Sequence, residues 1–97
     1  MSNIFEIIDK TGRKIRLTIE QWSHIRKKHP EVENYELIEE TLKKPDKITS
    51  YDIDETVVYY YKYYKHRSKH EKFLQVIVKY LNKEGYVLTA QFKPYIR

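Results

Sequence analysis

Ninety-seven residues allow one domain around one modest core, and a 40% apolar share with only two glycines and three prolines excludes a disordered chain. The absence of cysteine excludes disulfides and thiolate chemistry; no apolar run has the length of a membrane helix, and charges stand too near the start for a secretory signal. The net charge of +5 is unevenly held: residues 1–55 carry ten Lys or Arg against twelve Asp or Glu, and residues 56–97 carry nine against two, with eight of the ten tyrosines.

In chain order, Ile4 to Ile8 and Lys14 to Leu17 flank the breaker-rich run Asp9-Lys10-Thr11-Gly12-Arg13 and predict a short hairpin. Thr18 stands three residues before Gln21, the spacing of a capping box, so a helix is expected from Glu20 to His29, ended by Pro30. Trp22, Ile25 and His29 form its packing stripe. A second helix is expected from Tyr35 to Lys44, capped by Asn34, carrying Tyr35, Ile38 and Leu42 inward and closed by Pro45.

The remainder reads as four strands, Lys47 to Tyr51, Thr56 to Tyr64, Phe73 to Tyr80 and Tyr86 to Phe92. Asp52 to Glu55 and Leu81 to Gly85 are short enough to turn antiparallel hairpins, and Lys65 to Lys72 is a polar excursion with four cations and two histidines. Helices followed by strands predict an α+β domain over residues 1–97. Two N-terminal helices cover one face of an antiparallel four-stranded sheet, with the short hairpin in front.

Cations interleaved with aromatic rings suit a partner that carries phosphates and stacking bases, with a tyrosine-rich core as the plainer account. Strand alternation turns Leu74, Val76, Val78 and Tyr80 toward the helices, with Leu88, Ala90 and Phe92 buried beside them. Gln75, Lys79, Thr89, Gln91 and Lys93 are then expected on a wet face. Tyr60 and Lys62 share a face of the preceding strand and join the candidate RNA contacts, as does Lys28 on the first helix.

His24 lines up with Glu20 and Lys28, four residues to either side, which makes it the better candidate for a solvent-facing acid or base. His29 lies about 140° away around the axis, where a packed histidine is the plainer account, unless the helix unwinds before Pro30. Neither the five-residue spacing of these histidines nor the cation-rich surroundings of His66 and His70 suits a metal, so no metal or other cofactor is expected. The parts fit metal-free RNA cleavage: imidazole to move protons, Lys to meet phosphate charge, Thr to donate a hydrogen bond, and a 2′-hydroxyl supplied by the substrate.

The run Trp22-Ser-His24-Ile-Arg-Lys-Lys-His29-Pro30-Glu31, followed by Thr41-Leu42-x-x-Pro45-Asp46-x-Ile48, resembles the phage-associated branch of the barnase–EndoU–colicin E5/D–RelE-like nuclease superfamily. The segments Gly12-Arg13-Lys14-Ile15-x-Leu17-Thr18, Leu74-x-Val76-x-Val78-Lys79 and Val87-Leu88-Thr89-Ala90 follow the same order, so the likeness covers residues 12–92. It implies a small toxin-like domain, with helices against an antiparallel sheet, that cuts RNA without metal. Its two helical histidines match His24 and His29, and its final-strand hydroxyl matches Thr89.

The function expected is therefore a metal-independent endoribonuclease forming a 2′,3′-cyclic phosphate. His24 would be general base or acid, His29 its partner, Lys79 near the phosphate and Thr89 a donor, with Lys28, Tyr60, Lys62, Gln75, Gln91 and Lys93 contacting RNA. The alternatives are a nonenzymatic RNA-binding module and a toxin-associated domain that docks an acidic inhibitor protein. RNA, tRNA included, is the expected partner, a membrane is not, and the cytoplasm is the expected location unless the domain is exported as a toxin.

Overall fold

The computed structural model describes residues 2–96, and the chain runs β1 (Asn3–Ile8), β2 (Lys14–Thr18), α1 (Ile19–Lys28), α2 (Tyr35–Lys43), β3 (Lys47–Ser50), β4 (Val57–Tyr63), β5 (Phe73–Leu81) and β6 (Glu84–Lys93). The α+β class stands, but the four-stranded antiparallel sheet with a separate hairpin is corrected to one mixed six-stranded sheet, ordered β1-β2-β6-β5-β4-β3. The hairpin is part of the sheet because β2 pairs in parallel with β6, Lys14 to Arg16 lying opposite Glu84 to Tyr86. Ile15 needs a neighbour on each side to be fully buried, and β6 supplies it.

Gly85 makes that junction possible. It is not the turn residue its type suggests but lies within β6, opposite Ile15 and Tyr80. A Cβ there would sit 2.8 Å from Tyr80 Cε1 and 2.9 Å from Ile15 Cγ1, so only a glycine admits both neighbours. The turn itself is the pair Asn82-Lys83, both at positive φ (53° and 70°), the backbone of a two-residue hairpin that matches the strand twist.

The helices lie where their apolar stripes dictate. Thr18 caps α1 by accepting from the Gln21 amide, Asn34 caps α2 by accepting from the Glu36 amide, and the second helix ends at Lys43 with Lys44 as its cap. Ile25, Val32, Ile38 and Leu42 pack onto the sheet face made by Val58, Tyr60, Leu74, Val76, Val78, Tyr80, Ala90 and Phe92, which includes the four β5 residues expected there. Trp22 is only partly buried, edge-on to Tyr35 at 5.9 Å.

One polar cluster crosses this core. Asp9, 5% exposed, accepts from the Thr11 amide and hydroxyl and the Arg13 amide with one oxygen, and from the Tyr60 and Tyr80 hydroxyls, both at 2.6 Å, with the other. Burial alone would push its carboxyl up, but the bonds from Tyr60, Tyr80, Thr11 and Arg13 outweigh that and hold it below the ordinary value. Burial, and then the bond to Asp9, raise the Tyr60 hydroxyl to about 12. The Arg13 guanidinium lies 3.5 Å from the centre of the Tyr80 ring, so the β1–β2 turn is fastened to β4 and β5 at their buried tyrosines.

Candidate functional site

The register of β5 on β6 slips once, between Ile77 and Val78: Ile77 faces Thr89 while Val78 faces Val87, leaving Leu88 as an extra residue. Ala90 and Phe92 are buried as expected, but the bulge reverses the expected parity on its N-terminal side. Val87, not Leu88, is buried, and Leu88 is 40% exposed. Because β2 pairs with β6 only as far as Tyr86, the bulged stretch lies beside α1 instead of another strand. The Gln21 side chain, which a complete capping box would turn back to the Thr18 amide, donates instead to the Leu88 carbonyl at 2.5 Å.

Between α1 and the bulge is a cleft of about 280 Å³ lined by Gln21, His24, Ile25, Lys28, Leu88 and Thr89. His24 and Lys28 stand one turn apart on the exposed side of α1, and neither side chain makes a hydrogen bond or ion pair to any described residue. An imidazole, an ammonium, a carboxamide and a hydroxyl thus border one opening. Such a set can exchange a proton, meet an anion and donate hydrogen bonds.

His24, Lys28 and Thr89 come together here; the other expected residues do not. His29 is the C-cap of α1, its amide donating to the Ile25 carbonyl and its Nδ1 3.7 Å from Glu31 Oε2, and it does not line the cleft. The Lys79 ammonium is 2.7 Å from Asp54 Oδ2, and bonds from Lys79 and then Thr56 hold that exposed carboxyl down to about 2. Lys79 is therefore committed to the β3–β4 connection, whose partner Asp54 reads in the sequence only as a turn residue.

Two expected RNA contacts are buried. Tyr60 is fully enclosed with its hydroxyl on Asp9 and Tyr80, because β4 turns it toward the helices beside Val76. Gln75, 3% exposed, donates to the Tyr61 hydroxyl and accepts from Gln91, a relay that fills the far face of the sheet between strands. Lys62 reaches back to the Lys44 carbonyl and lies 3.9 Å from Glu40 on α2. Gln91 and Lys93 are partly exposed, with Gln91 held by Gln75.

Gln21 and Leu88 are cleft residues that the sequence did not mark. Gln21 could have been found from its capping position, since a glutamine at that place is free to bond elsewhere; Leu88 could not, because a bulge carries no signal in an alternating apolar strand. A larger hollow of about 330 Å³ lies along the outside of α2, lined by Glu36, Glu39, Glu40, Lys43 and Lys44. Its carboxylates make it a poor seat for a polyanion. The basic excursion is anchored from within: Arg67 stacks 3.9 Å from the centre of Phe92 and pairs with Glu71 at 3.0 Å, and Lys72 donates to the carbonyls of Lys65 and Arg67.

No protein-family model, curated protein or solved structure matches this chain. Among the described residues no helix is long and apolar enough to cross a membrane, and no three His, Asp or Glu gather as metal ligands. The fold and the cleft therefore define a class, an α+β domain with a histidine-bearing cleft at a bulged strand, and further reading rests on the chemistry of that cleft.

Proposed function

We propose that the protein is a metal-independent endoribonuclease whose centre is the cleft between α1 and β6. The observation that carries this reading is that His24, Lys28 and Thr89, from elements sixty residues apart in sequence, line one opening. In the proposed reaction the His24 imidazole takes the proton of the 2′-hydroxyl. The 2′-oxygen bonds to phosphorus and the bond from phosphorus to the 5′-oxygen breaks, leaving a 2′,3′-cyclic phosphate. Lys28 neutralises the phosphate oxygens and supplies the proton that the 5′-oxygen takes, while the Thr89 hydroxyl and Gln21 carboxamide donate to the charge developing on the non-bridging phosphate oxygens.

The basic half of the chain supports an RNA partner by steering a polyanion, and a cytoplasmic setting would supply one. Resemblance to the phage-associated branch of the barnase–EndoU–colicin E5/D–RelE-like superfamily adds the toxin-like context, in which an acidic inhibitor protein would cover the cleft. One observation favours a nonenzymatic RNA-binding module instead. His24 is the one imidazole lining the cleft, so Lys28 must be both phosphate cation and proton donor.

The reading is tested by incubating the purified protein with mixed cellular RNA in EDTA beside a folded His24→Ala variant. Cleavage by the wild type, reduced about 10²- to 10⁴-fold in the variant, is the expected result. Intact RNA with the wild type, or equal cleavage by both proteins, would overturn it.

A further inference from the structure

Thr89 belongs to two features at once. It lines the cleft, and it also closes a row of residues paired across the sheet on the face turned away from the helices: Thr49 with Tyr59, Tyr59 with Ile77, Ile77 with Thr89. Side chains directly opposite in paired strands share a face, and the Gln91 to Gln75 bond in the neighbouring row confirms the side. Three steps between strands carry this row roughly 14 Å from the cleft to β3.

At its far end the row opens into a second hollow of about 230 Å³, lined by Thr49, Ser50, Tyr51, Asp52 and Tyr59. The Tyr51 and Tyr59 rings are stacked there, 6.0 Å between centres and 23° between planes, and both are partly exposed. The Thr49 hydroxyl and the Asp52 carboxylate stand beside the stacked rings. Lys47 and Lys93, on the same face, form no ion pair with any described residue, so the face offers cations as well as rings.

We infer that this hollow is a nucleobase site. It would take one unpaired base of a single-stranded RNA that crosses the sheet along the Thr49–Tyr59–Ile77–Thr89 row and reaches the cleft with its phosphate. The base extends the Tyr51–Tyr59 stack; Thr49 can donate or accept at its edge, and Asp52 accepts from an N–H on that edge. The acidic turn keeps the phosphates away from this end and leaves them to Lys47, Lys93 and Lys28. Ile77, partly exposed in the middle of the row, gives the chain an apolar floor without fixing its sequence. The partner is thus single-stranded, since bases held in a duplex cannot reach a ring stack on a sheet face.

This inference rests on the proposed RNA reading for its ligand, and its test separates the two. A fluorescently labelled single-stranded hexaribonucleotide, carrying 2′-O-methyl groups so that it cannot be cut, is titrated into wild type, Tyr51→Ala, Tyr59→Ala and Tyr59→Phe. The alanine variants are expected to bind about 5- to 150-fold more weakly, the range that loss of one stacked base produces, while Tyr59→Phe stays near the wild type. A duplex of the same sequence is expected to show no such dependence on Tyr51 or Tyr59. Binding by the wild type that is unchanged in Tyr51→Ala and folded Tyr59→Ala overturns the base site and leaves the ribonuclease reading standing. Binding that depends on Tyr51 and Tyr59 by a protein that never cuts unmodified RNA supports the base site and overturns the nuclease. No binding by the wild type overturns the base site.

Discussion

Replacing Asp9 by Asn keeps the shape of a buried side chain and removes its charge, so it isolates what the carboxylate does for the fold. Asp9 receives five hydrogen bonds, two of them from the enclosed Tyr60 and Tyr80 hydroxyls. Bonds to a charged group contribute about 1.5–3 kcal/mol each and neutral ones about 0.5–1.5 kcal/mol, and the amide must point its NH₂ at donors on one side. The expected loss is about 2–5 kcal/mol, a large part of the roughly 5–15 kcal/mol that holds a domain of this size. Tyr60→Phe and Tyr80→Phe should each cost about 1.5–3 kcal/mol, and less than additively together, because both bond one oxygen.

The acid dependence has a fixed sign. The folded-state carboxyl of Asp9 titrates below its unfolded value, so its contribution is present above about pH 4 and is lost as the pH falls through the folded value. Urea unfolding followed by circular dichroism should therefore show a gap between wild type and Asp9→Asn that is full at pH 7 and shrinks toward pH 3. A variant within about 0.5 kcal/mol of wild type at pH 7, or a gap that widens on acidification, would refute the reasoning.

The base limb, the turn and the cleft support make further predictions. Tyr60 is raised to about 12 and Tyr80 is also raised, so stability should fall as the pH climbs from about 10 toward 12, and Tyr60→Phe should flatten that limb in the same unfolding assay. Gly85→Ala places a methyl 2.8 Å from Tyr80 and 2.9 Å from Ile15 and should cost about 1–3 kcal/mol, whereas Lys83→Gly relieves a positive φ and should add about 1 kcal/mol of stability, seen as a higher thermal midpoint. Gln21→Ala removes the bond that holds the Leu88 carbonyl beside α1; it should leave RNA affinity within a few-fold and lower the rate of any cleavage, with Gln21→Glu worse still because its carboxylate faces that carbonyl.

The parts of this fold that follow from local chemistry were legible. Thr18 and Asn34 cap the helices they were expected to cap, and the alternating β5 residues face the core, because caps and periodicity are written within a few residues. The parallel β2–β6 pairing is written across some seventy residues, and its one trace, a glycine where Tyr80 and Ile15 converge, looks like turn chemistry when read alone. The bulge at Leu88 likewise hides in an apolar run, so the parity of β6 is right for Ala90 and Phe92 and wrong before them.

The site was legible in the same proportion. His24 and Lys28 were expected together because four residues make one helical turn, and the cleft has both. Tyr60 was misread because a tyrosine looks the same in sequence whether its hydroxyl meets water or a buried carboxylate, and the partner Asp9 lies fifty-one residues away. Lys79 was misread for a similar reason, its charge being taken up by Asp54.

In the proposed reaction the cleft uses the 2′-hydroxyl of RNA as nucleophile with His24 as base. Mass spectrometry of the ends made from a short single-stranded RNA in EDTA, compared with the same sequence as DNA, tests it most directly. The account predicts fragments ending in a 2′,3′-cyclic phosphate from RNA, none from DNA, and none above background with His24→Ala. Fragments with 5′-phosphate ends, or equal cutting of RNA and DNA, would contradict it.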